Sequence, residues 1–303
     1  MRNATLRQLK VFETAARHLS FSRAAEELHL SQPAVSAQIR ELEGHAGLPL
    51  FEQFGRRLHL TAAGREMVEQ SRAILDQFRH AEEAMAQLKG IAGGTLAVAV
   101  ISAGDYFFPR LLATFAARHP GVKLGLTVHN RDGLLRDLNE NLCDLAVMVR
   151  PPADRDVIAV PFAPHAYVIV APPAHPLASK IAIPLGRVLD EPFVVREAGS
   201  DTANAMQEAL GGATPRIAMQ ISSNETIKQA VIAGFGLSFL SAHAIALERE
   251  LGRLAMLDVE GFPARGHWYV VHRRTKRLPP VAAAFRTFLL DDGERLIATL
   301  GQR

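Results

Sequence analysis

The chain has 303 residues, which is long enough for two or more hydrophobic cores. Hydrophobic residues make up 48% and charged residues 21%, which excludes a disordered chain. The single cysteine, Cys143, excludes an internal disulfide and a multi-thiolate metal site. We expect neither a metal nor a cofactor. There is no signal-peptide pattern and no stretch near ~20 apolar residues, so we expect a cytoplasmic protein without a membrane anchor.

The net charge is +3, and residues 1–65 carry nine Lys or Arg against six Glu. The apolar residues of this segment recur every three or four positions, which predicts three short helices. Ser20 and Ser31 are placed to cap the second and third helices, and Pro33 falls in the first turn of the third. Two short helices joined by a tight turn are typical of a helix-turn-helix.

Gln32, Ser36 and Arg40 are four residues apart and share one face of the third helix. Their amide, hydroxyl and guanidinium groups match base edges and phosphates in a DNA major groove. Residues 50–61 then predict a small hairpin, or wing, with Arg56 and Arg57 at its tip. The alternative for the third helix is a structural three-helix bundle with a solvated polar face. The alternative for the hairpin is a solvated turn without a role in DNA binding.

A long helix is predicted from Thr61 to Leu88. A narrow apolar seam runs along it at alternating spacings of three and four residues: Ser71, Ile74, Phe78, Ala81, Met85 and Leu88. This heptad pattern predicts a homodimer, with packing inside one chain as the alternative.

Residues 95–300 alternate strand and helix patterns, which predicts parallel sheet units covered by helices and arranged in two α/β lobes with a cleft between them. Pro151, Pro152, Pro161 and Pro164 are expected to mark connections. Hydroxyl-rich turns begin helices near Ser102, Ser200 with Thr202, and Asn224, and each offers free amides to an anion. Arg131, Arg150 and Arg196 are near strand ends and add positive charge. The alternative is that these hydroxyls only cap helices.

Enzyme motifs are missing: there is no Walker loop, HExxH or CxxC, and Gly234-Phe235-Gly236 lacks a third glycine. We therefore do not expect catalysis.

Residues 21–36 read FSRAAEELHLSQPAVS, followed by Leu42-Glu43, by LFE at 50–52 and by LTAAG at 60–64. Together these residues resemble the LysR-type transcriptional regulators over the whole chain. The resemblance implies a winged helix-turn-helix, a long linker helix and a two-lobed, periplasmic-binding-protein-like effector domain. It also implies a homodimer or homotetramer that binds promoter DNA, and an effector that alters DNA bending and contact with RNA polymerase.

The corresponding domains are 1–61, 62–92 and 93–303, with lobe I at about 93–163 and 267–303 and lobe II at about 164–266. The resemblance assigns Gln32, Pro33 and Ser36 to the major groove and Arg40 to the DNA backbone. It assigns Ser102, Asn130, Ser200, Thr202 and Asn224 to the effector cleft. Ala37 and Gln53 replace arginines that many relatives have, and Arg56 or Arg57 are expected to substitute for them.

A narrower resemblance is to the subgroup that controls the Calvin-cycle (RuBisCO) operons. It is carried by REAGS at 196–200, SNETIKQAV at 223–231 and KRL at 276–278, with Asn130-Arg131 and Arg150-Pro151-Pro152. It implies control of carbon-fixation or central carbon metabolism genes by a small anionic metabolite. Asp201 replaces a glycine that is frequent in the subgroup, and a carboxylate there is expected to repel a phosphorylated effector. The remaining alternatives are a regulator without an effector and a solute-binding receptor.

Overall fold

The computed structural model describes residues 4–54, 57–88, 93–153 and 156–299, without the side chains of residues 57, 80, 83, 84 and 86–88. The chain divides into two compact units, residues 1–89 and 90–303. Within the described ranges, no helix combines the length and apolar character that crossing a membrane requires.

The N-terminal unit is a three-helix bundle followed by a hairpin and a long helix. Its elements are α1 Leu6–His18, α2 Phe21–Leu28, α3 Gln32–Ala46, β1 Phe51–Phe54, β2 Arg57–Leu60 and α4 Ala62–Leu88. The side chains of Ser20, Ser31 and Thr61 accept hydrogen bonds from first-turn amides of α2, α3 and α4. The predicted helix starts are therefore confirmed.

The core of this unit forms where the three short helices meet the hairpin. Phe12 and Leu42 are fully buried, and the ring of Phe51 packs edge-on against Phe12 at 5.5 Å. The Glu13 carboxylate of α1 accepts a 3.3 Å hydrogen bond from Arg72 of α4, which ties the long helix to the bundle. Apolar burial and this contact together hold the start of α4 against the winged-helix core.

The C-terminal unit contains a seven-stranded mixed sheet and a smaller parallel pair. Its strands are β3 Gly94–Ile101, β4 Val122–His129, β5 Leu145–Met148, β6 Val157–Ala171, β7 Pro192–Arg196, β8 Arg216–Ile221, β9 Ser238–Ser241, β10 Ala255–Met256 and β11 Ala264–Arg273. Its helices are α5 Phe108–Arg118, α6 Arg131–Asn139, α7 Leu185–Leu189, α8 Asp201–Ala209, α9 Asn224–Ile232, α10 Ala246–Glu250 and α11 Pro280–Ala298.

The strand order places the long antiparallel strands β6 and β11 at the centre of this unit. The parallel strands β4, β3 and β5 lie on one side of them and, with α5, α6 and α11, form lobe I. The parallel pair β7 and β8, with β9 and the helices α7 to α10, forms lobe II, which is joined to β6 through β9. The predicted two-lobed arrangement is confirmed.

The expectation that Pro161 and Pro164 mark a connection is wrong, because both lie inside β6. There they face β11, opposite Tyr269 and His267, with a register shift between Trp268 and Tyr269. The other edge of β6 pairs with β9 only from residue 167 onward. Proline lacks an amide proton, and it is tolerated here because one edge of this part of the strand is unpaired and the ladder is irregular.

A buried ion pair anchors lobe I. Asp144 is 1% exposed, accepts a 2.9 Å hydrogen bond from the Ala97 amide and pairs with Lys276 at 3.1 Å. Lys276 also donates to the Cys143 carbonyl oxygen at 3.0 Å. This ion pair fixes residues 276–278 beside the start of β5, because each buried charge needs an opposite charge as its partner.

Gly64, in the first turn of α4, is expected to be essential for the N-terminal unit. A methyl group at this position would overlap the backbone carbonyl of Leu50. We expect Gly64→Ala to lower the free energy of unfolding by about 1–3 kcal/mol, because backbone must move to relieve the overlap. Gly44 is the control, because α3 leaves open space there. Gly44→Ala should stabilise by up to ~1 kcal/mol. Urea denaturation of the full chain, followed by circular dichroism, measures both, and equal stability of the two variants would contradict this account.

Candidate functional site

The outer face of α3 presents the four predicted DNA-reading residues. Gln32, Pro33 and Arg40 are exposed and Ser36 is half-buried. The opposite face of the helix is buried in the core through Val35, Ile39 and Leu42. Core packing therefore fixes which face of α3 is free to enter a groove.

The predicted wing is an antiparallel hairpin in which Phe51 pairs with Leu60 and Phe54 with Arg57. Glu43 of α3 holds it in place, because its carboxylate accepts hydrogen bonds from the amides of Leu50 and Phe51 at 2.8 and 3.2 Å. Arg56 and the side chain of Arg57 lie outside the described residues. Their role at the tip of the wing stays a prediction.

The seam of α4 is mostly exposed in its own unit. Ser71 is buried, whereas Ile74, Phe78 and Met85 are 43%, 47% and 55% exposed and Ala81 is also exposed. The Leu88 side chain lies outside the described residues. This stripe of exposed apolar side chains on one long helix favours a partner helix over packing within the N-terminal unit.

The predicted effector residues meet at a buried guanidinium between the lobes. Arg196 ends β7, is 4% exposed, and its Nη1 donates to Ser102 Oγ at 3.0 Å and to Asn224 Oδ1 at 2.6 Å. Its Nε and Nη2 donate to the two carboxylate oxygens of Glu197 at 2.8 and 3.0 Å. Ser102 belongs to lobe I and Asn224 to lobe II, so Arg196 joins the two lobes.

Two helix N-termini face each other beside this guanidinium. Asn130 caps α6 by accepting from the Gly133 amide, and its Nδ2 donates to Glu197 at 3.4 Å. Ser200 caps α8 by accepting from the Ala203 amide at 3.1 Å. The Asp132 amide donates to the Gly199 carbonyl at 3.3 Å, which brings the two helix starts together.

Gly199 is required by this close approach. Its φ is +80°, and a Cβ on it would overlap the Asp132 carboxylate. A side chain at position 199 would therefore separate the two helix starts and would also strain the backbone.

Arg131 and Arg150 form the half-buried cationic side of the site. Arg131 Nη1 donates to the Arg150 carbonyl oxygen at 2.6 Å, and the Arg150 guanidinium pairs with Glu208 on α8. Glu208 is 69% exposed, so this pair is open to solvent and screened. The buried Asp201 carboxyl also interacts electrostatically with both arginines.

Asp201 and Tyr167 lie next to this cationic side. Asp201 is 4% exposed, and its Oδ2 accepts a 2.7 Å hydrogen bond from the Tyr167 hydroxyl. Burial raises the pKa of Asp201, opposed by Tyr167, Arg131 and Arg150. The sequence predicts that the Asp201 carboxylate repels a phosphorylated effector, but in the structure this carboxyl is buried and hydrogen-bonded to Tyr167.

A group of aromatic side chains continues inward from Tyr167. His165 packs against Tyr167 at 4.4 Å and against Trp268 at 5.0 Å, and His243 stacks on His165 at 5.8 Å. Burial, together with His243, lowers the pKa of His165 to about 3, and burial lowers that of His243 to about 4. Both imidazoles are therefore neutral at physiological pH.

The predicted site residues are thus brought together to different degrees. Ser102, Arg196 and Asn224 are in direct contact, and Asn130 joins them through Glu197. Sequence reasoning missed Glu197 and Tyr167 as partners. The sequence could have indicated the Arg196–Glu197 ion pair, because the two residues are consecutive. No sequence pattern links Tyr167 to Asp201, which are 34 positions apart. Across the described ranges, no group of His, Cys, Asp and Glu has the arrangement of a metal site.

Comparison with known families decides the identity of this architecture. Residues 6–65 match the family described as "Bacterial regulatory helix-turn-helix protein, lysR family", and residues 89–294 match "LysR substrate binding domain". The chain belongs to the LysR family. It is a DNA-binding transcriptional regulator rather than an enzyme, as the sequence predicts.

The similarity to individual LysR-family proteins extends over the whole chain. A RuBisCO operon transcriptional regulator of Allochromatium vinosum is 51% identical over 301 residues, which cover 99% of this chain and 100% of that protein. The CcmR regulatory domain of Synechocystis PCC6803, solved in complex with 2-PG, is 36% identical with a TM-score of 0.63. That match covers 65% of this chain and 96% of the solved domain. A full-length OxyR variant of Pseudomonas aeruginosa is 25% identical with a TM-score of 0.73, covering 95% of this chain and 93% of its own.

The buried histidines predict an acid-sensitive fold for this LysR-family regulator. An unfolded histidine has a pKa near 6.5, so below that pH the unfolded state binds more protons than the folded state. Each neutral, buried histidine therefore makes its full contribution to the free energy of unfolding above pH 6.5, and this contribution is lost as pH falls towards the folded-state pKa values of about 4 and 3. We expect protonation of each histidine to lower the free energy of unfolding by about 2 kcal/mol between pH 7 and pH 5.

Urea denaturation of wild type and His243→Gln between pH 7 and 5 measures this loss. The variant should lose about half as much stability as wild type. His267→Gln is the control, since its side chain is exposed on the neighbouring strand, and it should follow wild type. An identical pH dependence in His243→Gln and wild type would contradict the assignment.

Proposed function

We propose that this regulator binds promoters of carbon-fixation genes as a dimer or tetramer, and that a small anionic metabolite held between its two lobes controls that binding. The observation that carries the proposal is the 51% identity, over essentially the whole of both chains, to a RuBisCO operon transcriptional regulator. The protein would act in the cytoplasm, where promoter DNA and RNA polymerase are present.

The DNA role of individual residues rests on the outer face of α3. Gln32 and Ser36 are proposed to read base edges, Pro33 to pack at the groove, and Arg40 to contact phosphate. Arg56 and Arg57 at the wing are proposed to replace the contacts that Ala37 and Gln53 do not make. An exposed amide and guanidinium on a helix whose other face is core support this assignment.

Self-association is proposed to use the seam on α4. Ile74, Phe78 and Met85 expose apolar surface at heptad spacing, and Ala81 and Leu88 continue the seam. Burial against the same helix of a second copy would remove this surface from water. A dimer of dimers on two promoter sites, and contact with RNA polymerase, complete the proposal.

The effector site is proposed to comprise the inter-lobe residues Ser102, Asn130, Arg131, Arg150, Arg196, Ser200, Thr202 and Asn224. Two half-buried arginines and the first turns of α6 and α8 favour a negatively charged ligand. The related CcmR domain was solved with 2-PG, that is, 2-phosphoglycolate, which is an anion of this kind.

One observation favours a second candidate, a regulator that works without an effector. The hydrogen bonds from Arg196 to Ser102 and Asn224 close the lobes with the chain's own side chains. An effector would have to share or displace them, so the two candidates differ in whether any metabolite changes DNA binding.

The DNA proposal predicts how Gln32→Ala behaves on bound genomic sites. Sequencing of genomic fragments captured by wild-type protein, with and without 2-phosphoglycolate, should identify a few sites beside carbon-fixation genes. On such a site Gln32→Ala should cost about 1–3 kcal/mol, with little loss on random DNA, because a base contact is removed. Equal losses on both DNAs would contradict a base-reading role, and sharp sites elsewhere would contradict the carbon-fixation target.

The effector proposal predicts that the Ser200→Ala, Thr202→Ala double variant binds 2-phosphoglycolate at least tenfold more weakly than wild type. Both hydroxyls lie at the start of α8; Ser200 holds the first turn by donating to the Glu197 carbonyl oxygen and accepting from the Ala203 amide, and Thr202 is proposed to donate to the ligand. Calorimetry on the full chain measures the affinity. Ser223→Ala, which removes the equivalent cap of α9, is the control for the loss of a cap alone. Unchanged binding of 2-phosphoglycolate by the double variant would reject the assignment of Ser200 and Thr202. If wild type binds none of a panel of phosphorylated sugars and short organic acids, the effector-free candidate is favoured.

A further inference from the structure

The first turn of α8 buries a carboxyl oxygen that the chain does not satisfy. Asp201 Oδ2 accepts from Tyr167 at 2.7 Å, but the buried Oδ1 has no hydrogen-bond partner among the described residues. Leaving a buried polar oxygen unpaired is unfavourable. Asp201 lies between Ser200 and Thr202 in the proposed effector site, where a bound ligand would supply the missing partner.

The groups that face Asp201 come from several elements. Arg131 at the start of α6 and Arg150 after β5 act on it from lobe I, and Tyr167 acts from β6. His165 packs against the ring of Tyr167. Besides these groups, the exposed Glu208 lies farther along α8 and pairs with Arg150.

The backbone at Asp201 also has amides without a hydrogen-bond acceptor in the ranges that the structure describes. The amides of Asp201 and Thr202 donate no hydrogen bond within the described part of the chain, whereas the next amide, of Ala203, is capped by Ser200. Free first-turn amides and the helix dipole attract negative charge. A carboxylate at the same place would repel it, so the two features conflict as long as Asp201 is ionised.

We propose that Asp201 binds the anionic effector as a neutral carboxylic acid. Its Oδ1 donates a proton in a hydrogen bond to an oxygen of the anion, while Arg131 and Arg150 neutralise the anion's charge. The proton comes from solvent, and one is taken up for each anion that binds to the ionised form. This inference rests on the proposed effector role of the inter-lobe site.

Protonation resolves the conflict between Asp201 and the amides. It removes the repelling charge, and it converts an unsatisfied acceptor into a donor that an anion needs. Burial raises the pKa of Asp201, with Tyr167 and the two arginines opposing the rise, so protonation at this position is less costly than at an exposed aspartate. Bringing an anion beside it raises the pKa further, which is the physical origin of the proton uptake.

The experiment is calorimetric titration of the full chain at pH 7.5 with two probes, 2-phosphoglycolate and sulfoacetate, in three buffers of different ionisation enthalpy. Sulfoacetate is included because its sulfonate does not take up protons near neutral pH. We expect wild type to take up close to one proton per anion and to lose affinity towards tenfold per pH unit as pH rises. Asp201→Asn should bind the same probes with no proton uptake and no pH dependence, because the amide donates without one.

Glu208→Gln is the matched control, since it removes an acid from the same helix that is exposed rather than buried. It should keep the proton uptake of wild type. Wild-type binding without proton uptake, or unchanged uptake in Asp201→Asn, would overturn the inference while leaving the effector site intact. The wild-type proton count decides the matter even if Asp201→Asn fails to fold. If wild type binds neither these probes nor the wider panel, the proposed effector role fails and this inference fails with it.

Discussion

The buried guanidinium of Arg196 is the contact on which the C-terminal unit depends. It lies at the end of β7 and reaches Ser102 in lobe I and Asn224 in lobe II. Because the half-buried Glu197 balances its charge from the next position in the chain, Arg196 stays buried without being an unpaired ion. A ligand that opens or closes the lobes would therefore change these hydrogen bonds, together with the contacts from Asn130 to Glu197 and from Arg150 to Glu208.

This use of Arg196 changes which residues can attract an anion. The arginine with the best burial already has its donors occupied, so the attraction falls to Arg131 and Arg150. Those two are half-buried; Arg131 contacts the Arg150 carbonyl oxygen, and Arg150 pairs with the exposed Glu208. The site therefore separates two tasks: Arg196 ties Ser102 to Asn224, and Arg131 and Arg150 supply positive charge beside Asp201. Asp201 is buried beside these two arginines, which is why its protonation state is central to the proposed binding of an anion.

The N-terminal unit solves a different problem, since its functional surfaces are exposed. A small core around Phe12 and Leu42 orients α3, and Glu43 fastens the hairpin to it through backbone amides. The helix that follows leaves Phe78 and Met85 in solvent within its unit. Apolar burial thus determines orientation in the first bundle, while the unburied seam is available for self-association.

The sequence by itself determined the local elements, because they depend on neighbouring residues. Serine and threonine caps, apolar spacing and the heptad seam predicted the starts of α2, α3 and α4 and the exposed faces of α3 and α4. The two-lobed fold followed from the alternation of strands and helices. The prediction that Pro161 and Pro164 mark a connection was wrong, because both lie inside β6. Whether a strand tolerates proline depends on which of its edges is paired, and neighbouring residues in the sequence do not determine that.

Only the tertiary structure decided how distant residues combine. Ser102, Arg196 and Asn224 are 122 positions apart at their extremes, and no local pattern states that one guanidinium joins them. Tyr167 contacts Asp201 because β6 crosses both lobes. As a result Asp201, which the sequence alone would place at the surface, is buried and hydrogen-bonded. Burial and charge balance are properties of the packed molecule, so residue types could predict an anion site, but only packing decided which arginines are free to serve it.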